Sequence, residues 1–129
     1  MEIEVGKRFT LKKQVTEELT AAVVGSGELA VFATPMMIAL FEECSAACLK
    51  PFLEADQTSV GILVEANHTA ATPVGAEVEV TVEITEVAGK IITFRGTATD
   101  MGGEIGSCLH KRAIVNAERF LEKTYAKLG

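Results

Sequence analysis

Three side chains have types and positions suited to acid–base or nucleophilic chemistry: Thr34, Glu42 and His68. Histidine is the usual general acid–base near neutral pH, and His68 ends a long apolar run with no other His, Cys or Asp nearby. An ionised carboxylate such as Glu42 is costly to bury, so among apolar neighbours it needs a partner. Thr34 precedes Pro35 at a predicted helix start, where free N–H groups can hold an oxyanion. Each residue also has a purely structural interpretation. Thr34 can be an N-cap, Glu42 can lie on a solvated stripe of the helix, and His68 can be a hydrogen-bonded histidine of the core.

The segment from Thr34 to Pro51 is predicted to form a buried helix. Thr34 is a favourable N-cap, Pro35 suits the first helical position and Pro51 marks the end. The residues between them are apolar on nearly every side of the helical wheel, which is typical of a buried helix. Glu43 lies about 100° from Glu42 on that wheel and is interpreted as a solvated carboxylate.

Alternating or continuous apolar patterns predict strands in most of the remaining chain. The run at 58–70 is almost continuously apolar, so it is interpreted as a central strand that carries His68. His110 is interpreted as a strand surface residue, and 117–129 as a short polar tail. The strand segments are 7–16, 58–70, 76–89, 91–100 and 104–116.

Glycine-containing turns separate these segments. Ala88-Gly89-Lys90 and Met101-Gly102-Gly103 predict two hairpins, and Pro73-x-Gly75 is interpreted as a third. The sequence therefore predicts an α+β fold in which an antiparallel sheet wraps a central buried helix. A sheet covers one side of a helix well and leaves edges exposed, so a homodimer is expected.

Composition excludes several classes of protein. The 129 residues favour a single domain spanning 1–129, and the net charge of −6 argues against nucleic-acid binding. No secretory signal is visible and no apolar run reaches the ~20 residues of a membrane span, so a cytoplasmic protein without membrane contact is expected. Cys44 and Cys48 are spaced as core residues of a helix, and no set of residues with metal-ligand spacing is found, so no metal is expected.

Two phrases resemble the hotdog-fold thioesterases, and in particular the fluoroacetyl-CoA thioesterase-like branch. They are "ATPMMIALFEECSAACL" and "GILVEANHTAATPVGAEVEVTVEI", within a likeness covering roughly residues 4 to 120. The resemblance implies a Thr–Glu–His catalytic site at a dimer interface, with a glycine and an arginine that contact substrate. These family positions fall on Thr34, Glu42, His68, Gly61 and Arg112.

The resemblance implies hydrolysis of a short or small acyl-CoA thioester to the free acid and CoA. CoA is then part of the substrate, no cofactor is needed, and the protein is a homodimer or a higher oligomer. One departure speaks against fluoroacetyl specificity: the aromatic residues that cover the family's pocket are missing from residues 16–30. The segment "GSGELA" there is expected to leave room for acyl groups larger than two carbons.

Two other functions remain open at this stage. A hotdog hydratase normally carries an Asp-x-Asn-Pro-x-His phrase, whereas here Glu65, Ala66 and Asn67 precede His68. A non-catalytic dimer that binds or sequesters acyl-CoA would retain CoA without releasing thiol.

Overall fold

The computed structural model describes residues 2–129, which form an antiparallel sheet with a helix packed across one face. This confirms the predicted α+β fold. The strands follow the order β1-β3-β4-β5-β2 across the sheet. Their bounds are β1 (Arg8–Gln14), β2 (Gln57–His68), β3 (Glu77–Ala88), β4 (Ile91–Asp100) and β5 (Gly103–Asn116), and the helices are α1 (Ala21–Val24), α2 (Thr34–Leu49) and α3 (Ala117–Tyr125).

The core lies between α2 and the sheet. The helix contributes Met37, Phe41 and Cys44 to this core, all fully buried. The strands oppose them with the apolar halves of their alternating sequences, including Val80 and Phe94. Burying these side chains supplies the main favourable free energy of folding.

The opposite side of α2 is open in a single chain. Thr34, Ala39 and Glu43 are exposed, and Ile38 is half-buried, although the surrounding sequence is apolar. The sheet therefore covers the helix on one side only. The exposed position of Glu43 agrees with its interpretation as a solvated carboxylate.

The N-terminus of α2 differs from the sequence prediction. Ala33, with extended φ and ψ of −76° and 138°, is the N-cap, and Thr34 is the first helical residue. Thr34 was predicted as the N-cap, and that prediction is wrong. Its hydroxyl is instead hydrogen-bonded to a side chain of β2, as described below.

Two of the three predicted hairpins are confirmed. Gly89, with a φ of 63°, and Lys90 form the tight turn between β3 and β4, and a second turn joins β4 to β5. The Pro73-x-Gly75 hairpin is wrong, because within residues 2–129 β2 pairs with β5 whereas β3 pairs with β1 and β4. The segment 69–76 is a crossover between the two ends of the sheet.

The same pairing makes β2 an edge strand, so the prediction of a central strand is also wrong. Its apolar residues are therefore open to one side, with Ile62 52% exposed and Leu63 37% exposed. The predicted polar tail is also corrected. It forms α3, whose N-cap Asn116 accepts a hydrogen bond from the Arg119 N–H at 3.0 Å. No helix among the described residues has the length and apolar character needed to cross a membrane.

Candidate active site

His68, the last residue of β2, meets Thr34 at the first turn of α2. Thr34 Oγ1 lies 2.7 Å from His68 Nδ1, which is a short hydrogen bond. The other ring nitrogen, Nε2, is screened from solvent and has no hydrogen-bond partner within residues 2–129. Phe32 packs edge-on against the ring, with centroids 6.4 Å apart. Buried polar atoms without a partner are rare in folded proteins, so this nitrogen is a candidate for contact with a substrate.

Backbone hydrogen bonds hold this first cluster in place. The Thr69 N–H donates to Ile105 O at 2.7 Å and fixes the end of β2 to β5. The Phe32 N–H donates to Thr72 O at 2.9 Å and ties the entry of α2 to the crossover. The helix start and the strand end are therefore held side by side by two separate backbone contacts.

A cleft of about 280 Å³ opens beside Thr34 and His68. Most of the side chains that line the cleft are small, because they come from the crossover and from the segment around α1; Phe32 adds one buried aromatic ring. Helix α1 ends at Gly25, whose φ of 90° stops it after one turn. The lining residues are Ala21, Ser26, Val31, Phe32, Thr34, His68, Thr69, Ala70 and Ala71.

A second cluster forms around Glu42, further along α2. Glu42 Oε2 lies 3.7 Å from Nη1 of Arg112, which comes from β5. Gly61 of β2 lies against the carboxylate, since a Cβ built there would be 2.6 Å from Glu42 Oε2. The arginine side chain is 9% exposed and the glutamate side chain 42% exposed, so the pair faces an opening.

Three further contacts fix the Arg112 guanidinium. Nε donates to Ser59 Oγ at 2.9 Å and Nη2 donates to Ser59 O at 3.1 Å. Nη1 lies 3.1 Å from Nε2 of His110. Burial lowers the pKa of Arg112 and the Glu42 carboxylate opposes this effect. Arginine stays charged in proteins, so the site holds a permanent cation.

His110 was interpreted as a surface residue, and this is wrong: it is fully buried. Its Nδ1 lies 2.7 Å from Leu63 O, and its ring stacks on Phe94. Burial, more than any other cause, lowers the pKa of His110 below 6.5. The sequence signal was available, because His110 shares its strand face with Cys108 and Ile114, which are also buried.

A β-bulge in β2 shapes this second cluster. The pairing of β2 with β5 shifts between Gly61 and Leu63, so Ile62 is an extra residue. Strict alternation would place Val60, Ile62 and His68 on one face of the strand, but the bulge breaks that phase and leaves Ile62 exposed. Bulges near active sites often redirect groups in this way. Here the Leu63 carbonyl accepts a bond from a side chain of β5.

The two clusters are well separated within one chain. Thr34 and Glu42 are eight residues apart on α2, about 12 Å along the axis. His68 and Gly61 are seven residues apart on β2, on the order of 20 Å. The structure thus joins His68 to Thr34 of the same chain and leaves Glu42 with Gly61 and Arg112.

The family model of the fluoroacetyl-CoA-specific thioesterase matches residues 15–118. The chain is 37% identical to the fluoroacetyl-CoA thioesterase of Streptantibioticus cattleyicolor, across 97% of this chain and 94% of that protein. A crystal structure of a variant of the fluoroacetyl-CoA-specific thioesterase in complex with fluoroacetate and CoA superposes with a TM-score of 0.87. It is 35% identical and covers 92% of this chain and 99% of that one.

A hot-dog-like protein from Thermanaerovibrio acidaminovorans shares the fold with a TM-score of 0.90, at 22% identity over 97% of this chain and 93% of that one. The predicted resemblance is therefore confirmed for both fold and family. The chain has the hotdog fold and belongs to the fluoroacetyl-CoA-specific thioesterase family.

Proposed function

We propose that this protein hydrolyses acyl-CoA thioesters at a site that two copies of the chain build together. Membership of the thioesterase family supports the hydrolysis of a thioester. The proposal of a shared site rests on one observation: the polar groups of a single chain are separated into two clusters. One holds Thr34 and His68, and the other holds Glu42, Gly61 and Arg112.

The open surfaces of the chain favour such a dimer. β2 is an edge strand with Ile62 and Leu63 exposed, and the uncovered side of α2 runs beside it. Exposed apolar edges invite pairing with another chain, and a two-fold axis makes that pairing self-complementary. Antiparallel pairing of two β2 strands would bring the His68 end of one copy towards the Gly61 region of the other.

The groups at this shared site suit thioester cleavage. The carbonyl oxygen would lie near the first turn of α2 and the Gly61 backbone, where N–H groups stabilise developing negative charge. Glu42 either takes a proton from a water molecule that attacks the carbonyl carbon, or attacks that carbon itself to form an acyl-enzyme anhydride, which water then hydrolyses to the free acid and Glu42. Thr34 positions the attacking group. The carbon–sulfur bond breaks as His68 delivers a proton to the leaving sulfur.

The acyl group is proposed to be small or short without being limited to fluoroacetyl. The cleft beside His68 is lined by small residues such as Ala21, Ser26 and Ala70. Because no aromatic side chain occurs in residues 16–30, acyl chains longer than two carbons should enter. Hydrolysis confined to fluoroacetyl-CoA would contradict this part of the proposal.

Thiol release from a panel of short, branched, aromatic and long acyl-CoAs tests the reaction. Glu42→Gln and His68→Ala should each lower kcat by roughly a hundredfold or more, the usual scale for a lost acid–base group. Glu118→Gln is the matched control, since Glu118 is exposed on α3, away from both clusters, and its substitution should leave turnover unchanged. Near-normal turnover by Glu42→Gln would contradict the assignment. Saturable CoA binding without thiol release would favour a binding protein instead.

Mixing two inactive variants tests the shared site. His68→Ala and Glu42→Gln each spoil both sites of their own homodimer. A mixed dimer combines both defects in one site and leaves the other intact, so random exchange should restore roughly a quarter of wild-type activity. Sites built within single chains would give no recovery from the same mixture.

A further inference from the structure

We infer that His110 is a positioning residue: its ring holds the Arg112 guanidinium beside Glu42 while keeping the two from closing into a short hydrogen bond. The inference rests on the proposed thioesterase reaction, because it assigns a task to Arg112 and Glu42 at that site. It concerns a buried histidine that touches none of the reacting atoms.

The neighbours of His110 determine which ring nitrogen carries the proton. The Leu63 carbonyl can only accept, so Nδ1 at 2.7 Å must donate its hydrogen. Arginine can only donate, so Nε2 at 3.1 Å from Arg112 Nη1 must offer its lone pair. A doubly protonated ring would set an N–H against the guanidinium. The geometry therefore requires a neutral ring protonated on Nδ1.

This acceptor completes the anchoring of Arg112. Nε and Nη2 are both taken by Ser59, and His110 binds Nη1, so each guanidinium nitrogen is fixed. The Glu42 carboxylate lies 3.7 Å from Nη1, which is too long for a hydrogen bond but close enough for strong Coulomb attraction. Glu42 thus gains a nearby cation and keeps its oxygens free for substrate or water.

Without the His110 acceptor, Nη1 would be free to turn to Glu42. A short, charge-assisted hydrogen bond from Nη1 would then occupy a carboxylate oxygen that the reaction needs. The ring is itself held in place. It stacks on Phe94 with centroids 6.2 Å apart. The Gly61 backbone also packs close to the ring, since a Cβ built at Gly61 would be only 3.2 Å from Cε1 of His110.

The charged groups facing the ring are Arg112 from its own strand and Glu42 from α2. Burial is the main cause that lowers the pKa of His110, and the Arg112 charge adds to it. The Leu63 carbonyl and the Glu42 carboxylate oppose the shift without reversing it. The neutral ring required by the hydrogen bonds is therefore the stable form at neutral pH.

Two substitutions to amide side chains test the roles of the two ring nitrogens separately. In His110→Gln the amide oxygen can reach the place of Nε2 and accept from Arg112. In His110→Asn the shorter amide can take the place of Nδ1 and donate to Leu63 O, but it leaves Arg112 without its acceptor. We expect His110→Gln to keep kcat within about threefold of wild type, and His110→Asn to lose about tenfold or more with KM little changed.

Equal losses in the two variants, or wild-type kcat in His110→Asn, would overturn the inference. A double-mutant cycle adds a further readout, because an effect transmitted through Arg112 should disappear in an Arg112→Lys background. Thermal unfolding of each variant shows whether lost activity reflects lost folding. If wild type releases no thiol from any acyl-CoA, the proposed function fails instead, and these kinetic comparisons do not arise.

One measurement on the wild-type protein needs neither activity nor a folded variant. Nitrogen-15 NMR of the imidazole distinguishes the two neutral tautomers and the protonated ring. We expect His110 to be neutral and protonated on Nδ1 at neutral and mildly alkaline pH, because burial lowers its pKa below 6.5. A ring protonated on Nε2, or one that titrates like an exposed histidine, would contradict the inference.

Discussion

The two histidines show how surroundings decide what one residue type can do. His68 ends an edge strand and uses Nδ1 for Thr34, and its Nε2 has no hydrogen-bond partner among residues 2–129. His110 is buried inside the sheet's covered face, and both of its nitrogens are engaged. Only His68 therefore has a nitrogen available to exchange a proton with substrate. His110 instead supplies a fixed acceptor.

Glycine at position 61 is predicted to be needed for turnover, because any side chain there would displace the Glu42 carboxylate. An added Cβ would lie 2.6 Å from Glu42 Oε2 and 3.2 Å from Cε1 of His110. The flexible carboxylate would move aside, and the ring would need to shift by only a few tenths of an ångström, so the cost in stability is small. Gly61→Ala should therefore lower kcat about tenfold or more while the unfolding temperature changes little. Thiol-release kinetics and thermal unfolding check this.

The matched control is Gly102→Ala in the turn between β4 and β5, where the added Cβ meets only Asp100 Oδ1 at 3.3 Å. It should leave kcat unchanged. Equal activity of Gly61→Ala and wild type would show that Glu42 need not lie against this glycine.

At the scale of residues, the sequence predicted which residues are candidates for the site better than it predicted their burial and contacts. Thr34, Glu42 and His68 were singled out from their chemistry, and Gly61 and Arg112 from a family resemblance. Their catalytic and binding roles stay predictions. His110 was missed because its charged neighbours Lys111 and Arg112 suggested solvent, although strand alternation placed it with Cys108.

At the scale of elements, local patterns predicted most strands and two turns. Pairing between distant strands could not be obtained in this way, because alternation fixes which face is buried and not which strand is the neighbour. The apolar run of β2 therefore suggested a central strand, whereas it lies at an edge. The bulge at Ile62 was hidden for the same reason, since it depends on the partner β5.

The packing of α2 on β4 leads to a prediction about Gly96. A Cβ there would lie 2.8 Å from Phe41 Cδ1 and 2.9 Å from Cys108 Sγ, and both side chains are tightly packed. Gly96→Ala should push the helix from the sheet and lower the free energy of unfolding by about 1–3 kcal/mol, the usual cost of overpacking. Urea denaturation measures this.

Thr97→Ala is the control, since Thr97 follows on the same strand and is exposed. It should shift the urea midpoint much less. An unchanged midpoint in Gly96→Ala would mean that α2 does not lie as close to β4 as the structure has it.

At the scale of the whole molecule, the structure has a closed half, the core between α2 and the sheet, and an open half, the side of α2 that the sheet does not cover together with the neighbouring β2 edge. The closed half buries three free cysteines, and burial raises the pKa of Cys44 and of Cys108 to about 11. Those two thiols stay protonated near neutral pH and act as core residues. The open half carries the uncovered side of α2, the β2 edge and both polar clusters. This distribution is what a site shared between two copies requires.

The buried histidine also links the stability of the whole molecule to pH. Because the pKa of His110 is lowered below 6.5 in the folded state, the unfolded chain binds a proton that the folded chain resists. Stability from this group is complete above pH 6.5 and is lost as the pH falls towards the lowered folded pKa. The slope is at most about 1.4 kcal/mol per pH unit for one proton.

We therefore expect wild type to lose stability between pH 7 and pH 5, and His110→Gln, which has no proton to gain there, to lose less. Urea unfolding of both proteins across this range measures the difference, at a fixed protein concentration because a dimer's stability depends on it. His68 and the carboxylates are common to both proteins, so their titration largely cancels in the comparison. Parallel pH curves for the two proteins would mean that His110 accepts its proton as readily in the fold as out of it, which its contacts with Leu63 and Arg112 do not allow.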